Sequence, residues 1–306
     1  LYRAWNRGFH MASGDYVINA NSDDRFSLDG LEVMAAELNG DPDIDAVYGD
    51  WLITGKENDS FDSGTPKKIC RYPYCSGPLF LHGQITSHAT LIRKSLFEKI
   101  GYYDDNMTVY GDRDFMLRFA SQGCRAKKIP RVVGLYFENK AGLFHSEKGG
   151  GEAEFALIME KYLTPDRFAR LFGRTAFEND KELANHYLYA GGLGRSVYTL
   201  DDIHVDNLGT AGKLFAEALN VDPKNHVALN NLGVVSCIVG NKAQGMDLFH
   251  LAADAAPEDT AGKIKANSMV SKDGTAFISD YYWITLESPG DMQPIISKDE
   301  GNSLDQ

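Results

Sequence analysis

Ala12-Ser13-Gly14-Asp15-Tyr16-Val17-Ile18-Asn19-Ala20-Asn21-Ser22-Asp23-Asp24 is the stretch on which the reading of this chain turns. Tyr16 to Asn21 reads as a short strand that runs directly into two adjacent acids. On its amino side, Leu1, Trp5, Phe9 and Ala12 recur at helical spacing, and Gly14 follows as a natural C-cap. On its carboxyl side, Ser27 is placed to cap a helix whose stripe is Leu31, Met34, Ala35 and Leu38. Asp41-Pro42 breaks that helix, and Ala46-Val47-Tyr48 opens a second strand that meets Gly49-Asp50-Trp51. This β-α-β alternation predicts an α/β domain built on a mixed, mostly parallel sheet with flanking helices.

Further out, residues 55–87 are rich in Gly, Pro, Ser and Asp and read as a surface excursion. A strand over His88 to Arg93, a helix near 95–100, a helix from about Asp112 to Gln122 and a β run from Arg131 to Phe137 follow. After Gly149-Gly150-Gly151 comes an amphipathic helix with Phe155, Ile158, Met159 and Tyr162 on one face. Between Asn207 and Pro257 almost nothing is β-like. There Pro223 and Pro257 lie 34 residues apart, and Leu214, Phe215 and Ala218 recur as Leu248, Phe249 and Ala252. This period resembles the tetratricopeptide repeat, a helix-pair unit. An unrelated helical hairpin is the alternative. The expected organisation is an α/β domain over 1–163, a helical linker over 164–206, tetratricopeptide-like repeats over 207–269 and a tail of unassigned structure over 270–306.

The 306 residues carry 43 acidic against 31 basic side chains, a formal charge of −12. That balance argues against a phosphate-backbone binder, so no nucleic-acid partner is expected. No window approaches the ~18 apolar residues of a membrane span. Cys70, Cys75, Cys124 and Cys237 form no CxxC pair, which suits reduced thiols in a cytoplasmic protein and leaves no structural zinc motif. The sequons at Asn58 and Asn106 are chance-level matches.

Two constellations are candidates for chemistry. Asn21, Asp23 and Asp24 end a strand, and open α/β sheets bind ligands outside the carboxyl ends of their strands. Adjacent acids there suit a hard divalent cation that bridges a diphosphate; the plainer alternative is a turn leading to the next helix. In the second, Asp112 falls on the apolar stripe that continues through Phe115, Met116 and Phe119, so it is expected to face inward. Asp114, four residues before Arg118, is expected to be a solvated surface partner.

Ala4-Trp5-Asn6-Arg7-Gly8, Gly14-Asp15-Tyr16-Val17 and Asn21-Ser22-Asp23-Asp24 together resemble the family 2 glycosyltransferases of GT-A fold. Val47-Tyr48-Gly49-Asp50-Trp51, then Ala89 to Leu96 with Gly101-Tyr102-Tyr103-Asp104, then Asp112 to Arg118 follow in that family's order. The resemblance runs from residue 1 to about 163. It implies transfer of a sugar from a nucleoside diphosphate sugar to an acceptor hydroxyl of a glycan, lipid-linked or protein substrate, with inversion. By that resemblance Asp23 and Asn21, with Asp24, hold Mg²⁺ or Mn²⁺, and Asp112 is the general base. His88, Arg93 and His145 are candidate acceptor or diphosphate contacts, with ordinary structural roles as the alternative for each.

The chain departs from the family pattern in two positions and one region. Asn21 stands where the metal motif usually opens with Asp, and Gly111 stands where Glu usually precedes the base. Only about twenty residues precede Asp23, whereas the family's nucleotide pocket lies upstream of that point. The expectation is a truncated catalytic domain that does not bind donor tightly by itself. The helical repeats imply a protein partner or acceptor on a concave surface. The reading from a different class is a non-catalytic interaction protein with a degenerate GT-A domain.

Overall fold

A computed structural model describes residues 1–83, 86, 89–139, 151–270 and 281–287. They form two compact units, one holding Leu1–Thr175 and Val197–Val205, the other Ala176–Ser196 and the described residues from Asp206 onward.

The first unit is organised on β3 (Ala46–Thr54). Its first six residues are all buried, the near-continuous apolar run expected of a strand covered on both faces. On one side β3 runs parallel to β6 (Ala126–Phe137), in register from Ala46 opposite Ala126 to Thr54 opposite Phe137. On its other side lie β5 (Leu91–Arg93), against its beginning, and β4 (Lys68–Arg71), against its end. β1 (Tyr16–Val17) pairs with β5, and β2 (Arg25–Phe26) pairs with β6. Every described pairing except β3 with β6 is antiparallel, so the mostly parallel sheet is corrected to a mixed, mostly antiparallel one. Alternation of apolar and polar positions marks a strand but carries no sign of its direction, and most of these antiparallel pairs join strands far apart in sequence.

The parallel pair is close-packed because Gly134 has no side chain. A Cβ there would fall 2.4 Å from the Trp51 ring, which lies across β6 fully buried. Register shifts between Tyr48 and Trp51 accommodate this crossing.

The helices α1 (Tyr2–Met11), α2 (Gly30–Gly40), α3 (Leu96–Ile100), α4 (Gly111–Ser121), α5 (Gly151–Tyr162) and α6 (Pro165–Arg170) belong to the same unit. Met34 and Leu38 are buried on α2, but Leu31 at the head of the expected stripe is exposed, and Asp29, not Ser27, stands at the N-cap. Residues 55–87 are more than a surface excursion. They supply β4 and a buried 3₁₀ turn, Gly77–Leu81, whose Leu79-Phe80-Leu81 triplet is hidden among Pro, Gly and Ser in the sequence. Residues 164–206, read as a helical linker, also carry a β-hairpin: β7 (Tyr198–Leu200) and β8 (Ile203–Val205) extend the sheet beyond β4. Its two-residue turn is Asp201-Asp202, both at positive φ, the backbone that matches the twist of hairpin strands.

The second unit is a succession of helices, α7 (Asp180–Gly192), α8 (Leu208–Val221), α9 (His226–Ile238), α10 (Lys242–Ala255) and α11 (Glu258–Val270), each packed on the next. Asn179, Asn207 and Asn225 cap three of them, each accepting a backbone N–H three residues on. The recurring Phe215 and Phe249, and Ala218 and Ala252, are fully buried.

Candidate active site

The segment after β1 leaves the sheet at once and returns as β2. The pairing of Arg25 with Leu135 sets Asp24 beside the carboxyl end of β6. There the Phe137 N–H donates to Asp24 Oδ1 at 3.2 Å, and Glu138 N–H donates to the Thr54 carbonyl at 2.9 Å, closing the parallel pair. Asn21 Nδ2 donates to Asp24 Oδ2 at 2.9 Å. Burial raises the Asp24 carboxyl above its ordinary pKa, against those two hydrogen bonds. Burial also raises the nearby Tyr136 hydroxyl, with the charges of Asp24 and Asp23 adding to it.

The two acids therefore differ. Asp24 is tied to the loop and to β6, whereas the Asp23 carboxylate has no hydrogen bond or ion pair among the described residues. Asn21 turns its amide N–H toward Asp24, which leaves its Oδ1 open. One open carboxylate, one tied carboxylate and an amide oxygen within four residues fit a Mg²⁺-type ion that keeps phosphate and water in its shell. They do not make a self-sufficient cage: no group of three or more His, Cys, Asp or Glu able to hold a metal occurs among the described residues.

Asp112 lies in the first turn of α4. Its Oδ1 accepts the Arg113 N–H at 2.8 Å and, at 3.2 Å, the Tyr2 hydroxyl, whose proton is shared with the Val109 carbonyl at 2.7 Å. Oδ2 has no partner among the described residues. Burial raises the Asp112 carboxyl, opposed by the Arg113 N–H and the Tyr2 hydroxyl. The missing Glu at 111 has a steric counterpart here. A Cβ on Gly111 would fall 2.6 Å from the Tyr2 ring, which is itself packed against Tyr103 and Trp5.

The turn that presents Asp112 is held by a residue the sequence did not single out. Glu154 on α5 accepts the N–H groups of Thr108, Val109 and Tyr110 at 2.6, 2.9 and 2.9 Å. Burial alone would raise this carboxyl, but the three donors overcome it and hold it below the usual range. Nothing local in the sequence links residue 154 to residues 108–110; only the glutamate's position in the first turn of a helix was visible.

Asp114 is not solvated. It is 1% exposed, and it pairs with Arg118 at 2.9 Å and with Lys161 at 2.6 Å, while the Tyr162 hydroxyl donates to it at 3.1 Å. Burial acts to raise its carboxyl, and Lys161 and Arg118 bring it below the ordinary value. The expected i,i+4 partner is present, but inside the protein: α5 covers the face that α4 alone would leave in water.

Asn6, in the first quoted family motif, pairs with both backbone groups of Tyr103 in a later one, its Nδ2 donating at 2.7 Å and its Oδ1 accepting at 3.1 Å. Arg93 does not reach the acid loop. It donates to the carbonyls of Leu38, Asp41 and Ile44, so it is committed to the amino end of β3, opposite the end where Asp24 sits. His88 and His145 lie outside the described residues.

Asp59 is a further acid that pattern alone passed over. It is buried beneath the 55–67 loop, accepting from Thr54 Oγ1 at 2.7 Å, Ser60 N–H at 2.9 Å and the Ser63 hydroxyl, and those donors hold it well below the usual carboxylate range. The four cysteines are buried and free. No helix among the described residues is long and apolar enough to cross a membrane.

Residues 1–101 match the family described as Glycosyl transferase family 2. A Bacillus subtilis (strain 168) protein named uncharacterized glycosyltransferase YwdF is 28% identical over 140 residues, 45% of this chain and 51% of that one. Proteins of Mycobacterium bovis and Mycobacterium tuberculosis named PGL/p-HBAD biosynthesis glycosyltransferase are 28% identical over 144 residues, 47% of this chain and 52% of theirs. The chain thus spans about half the length of the curated relatives it matches.

Proposed function

We propose that residues 1–163 belong to a glycosyltransferase that moves a sugar from a nucleoside diphosphate sugar to an acceptor hydroxyl with inversion. The observation that carries this reading is Asp112, a carboxylate raised by burial with one oxygen tied and the other open. The family match over residues 1–101 supplies the reaction class.

Asp112 Oδ2 takes the proton of the acceptor hydroxyl as that oxygen attacks the anomeric carbon from the face opposite the departing diphosphate. The bond to the diphosphate oxygen breaks as the new glycosidic bond forms. A carboxyl raised by burial is a better proton acceptor once ionised than an ordinary surface carboxylate. The Arg113 N–H and the Tyr2 hydroxyl fix Oδ1, so the basic oxygen is held in one orientation. Asp23, with the Asn21 Oδ1 and secondarily Asp24, would hold Mg²⁺ or Mn²⁺, which supplies charge neutralisation to the leaving diphosphate.

The test is release of nucleoside diphosphate from UDP-, GDP- and dTDP-sugars by the natural gene product, with Asp112→Asn and Asp23→Asn beside it. Asp112→Asn is expected to lower kcat by about 10²–10⁴ with donor affinity kept, the usual worth of a general base. Asp23→Asn is expected to weaken donor affinity in a divalent-cation-dependent way. Turnover by Asp112→Asn at the wild-type rate would sink the assignment. A second reading, a GT-A domain retained for interaction only, is favoured by the Tyr2 ring filling the space beside Gly111; absence of turnover from every donor would support it.

A further inference from the structure

Three asparagines are buried in the helical unit, Asn230 and Asn231 on α9 and Asn267 on α11, each at most 1% exposed. Placing three primary amides in a helical core is unfavourable unless every donor and acceptor finds a partner. Here the partners are the backbone of an extended segment. Asn267 Oδ1 accepts the Tyr282 N–H at 2.7 Å and its Nδ2 donates to the Tyr282 carbonyl at 2.9 Å. Asn230 Nδ2 donates to the same carbonyl at 2.9 Å. One alternate residue on, Asn231 Oδ1 accepts the Ile284 N–H at 3.0 Å and its Nδ2 donates to the Ile284 carbonyl at 2.7 Å. The amides are also joined to one another, Asn267 to Asn230 at 2.9 Å and Asn230 to Asn231 at 3.0 Å.

This is the hydrogen-bonding of a strand partner, supplied by side chains. Both main-chain groups of residues 282 and 284 are taken, and the period of two turns Tyr281 and Trp283 inward. Tyr281 meets Phe249, and Trp283 meets Phe215 and the Arg195 guanidinium. Tyr282 and Ile284 stay half-exposed. Recognition through main-chain groups does not depend on residue identity, so the amide row fits any extended peptide that offers two aromatic side chains at alternate positions. The occupant present leaves a mismatch, because the buried Trp283 indole N–H has no acceptor among the described residues.

We propose that Asn230, Asn231 and Asn267 form a binding site for an extended, aromatic-x-aromatic peptide segment of a protein partner, and that the chain's own Tyr281–Ile284 occupies it in cis. The proposal is independent of the glycosyltransferase reading. It gives a chemistry to the protein partner expected of the helical repeats: main-chain capture plus two aromatic sockets.

The test uses the full chain and a fluorescein-labelled peptide of residues 281–287, followed by anisotropy. In wild type the tethered segment competes at a high effective concentration. Tyr281→Ala/Trp283→Ala empties both sockets and is expected to bind the peptide at least tenfold more tightly than wild type. Adding Asn231→Asp removes the donor to the Ile284 carbonyl and is expected to abolish that gain, with helicity by circular dichroism kept. In unmodified chain, the Tyr282 and Ile284 amides are expected to exchange hydrogen faster than those of α9, and faster again with excess unlabelled peptide. A folded double variant with no gain in affinity would overturn the proposal. So would Tyr282 and Ile284 amides that exchange only with the α9 core, a result that also decides the matter if the double variant does not fold.

Discussion

Tyr2 is the residue on which the catalytic proposal is most exposed. Its ring excludes any side chain at 111, and its hydroxyl reaches Asp112, so one residue at the start of α1 both displaces the expected glutamate and adjusts its neighbour. Tyr2→Phe is expected to cost roughly 1 kcal/mol in urea unfolding, the worth of one hydrogen bond. The Tyr2 hydroxyl lowers the Asp112 carboxyl against burial, so its loss raises that carboxyl further. A ¹³C titration of the Asp112 carboxyl checks this, and the acid limb of any pH–rate profile should move upward with it. Gly111→Ala is the companion test. Its methyl meets the ring, and a cost of about 1–3 kcal/mol follows unless Tyr2 is also made smaller. Much of this was not legible in advance. Adjacent acids at 23 and 24 look alike in sequence, and only the Phe137 N–H separates the tied one from the open one.

Among the elements, α4 shows how a helix face is decided by what covers it. The stripe reading placed Asp112 inward and Asp114 outward, yet α5 brings Lys161 and Tyr162 over Asp114 and makes it a buried ion-pair centre. The i,i+4 spacing to Arg118 was readable from sequence; the second layer was not. α5 acts again through Glu154, which gathers three N–H groups just before α4. Because the folded carboxyl sits below its unfolded value of about 4.3, its contribution is complete above that pH and is lost as pH falls through the depressed folded value. Glu154→Gln is therefore expected to cost about 1 kcal/mol at pH 7, since water screens this half-exposed group, and progressively less at acid pH. Urea melts at neutral and at acid pH check the sign. An equal cost at the two would remove the electrostatic part of the account. The helices and β3 were legible because their apolar periods are long. β1 was read as six residues and has two, because Ile18 to Asn21 leave the sheet for the acid loop.

At the scale of the whole molecule, the chain does not complete its first unit before it begins the second. α7 belongs with the later helices, and only afterwards do residues 197–205 return to lay β7 and β8 along β4. A chain ended at residue 175 would expose the edge of β4, and unpaired edges template association. Such a truncation is expected to elute in size-exclusion chromatography as a higher oligomer than the intact chain at the same concentration; a truncation that keeps the intact chain's oligomeric state would show that the hairpin is dispensable. The division at about residue 163 followed the extent of the family resemblance, which carries no mark of a strand pair that comes back. The 34-residue period did mark the second unit correctly as helical, because Phe215 and Phe249 fall at its buried positions.

That return has a consequence for synthesis on the ribosome. The sheet's edge stays uncovered from the time α6 emerges until residue 205 clears the exit tunnel. At roughly 5–20 residues per second this interval is on the order of seconds, longer than helix or hairpin formation takes. Nascent chains on one message would carry that open edge side by side. Because β8 must arrive before the hairpin can lie along β4, slow codons that hold residue 205 inside the tunnel would lengthen that exposure, and slow codons read after it has cleared would not.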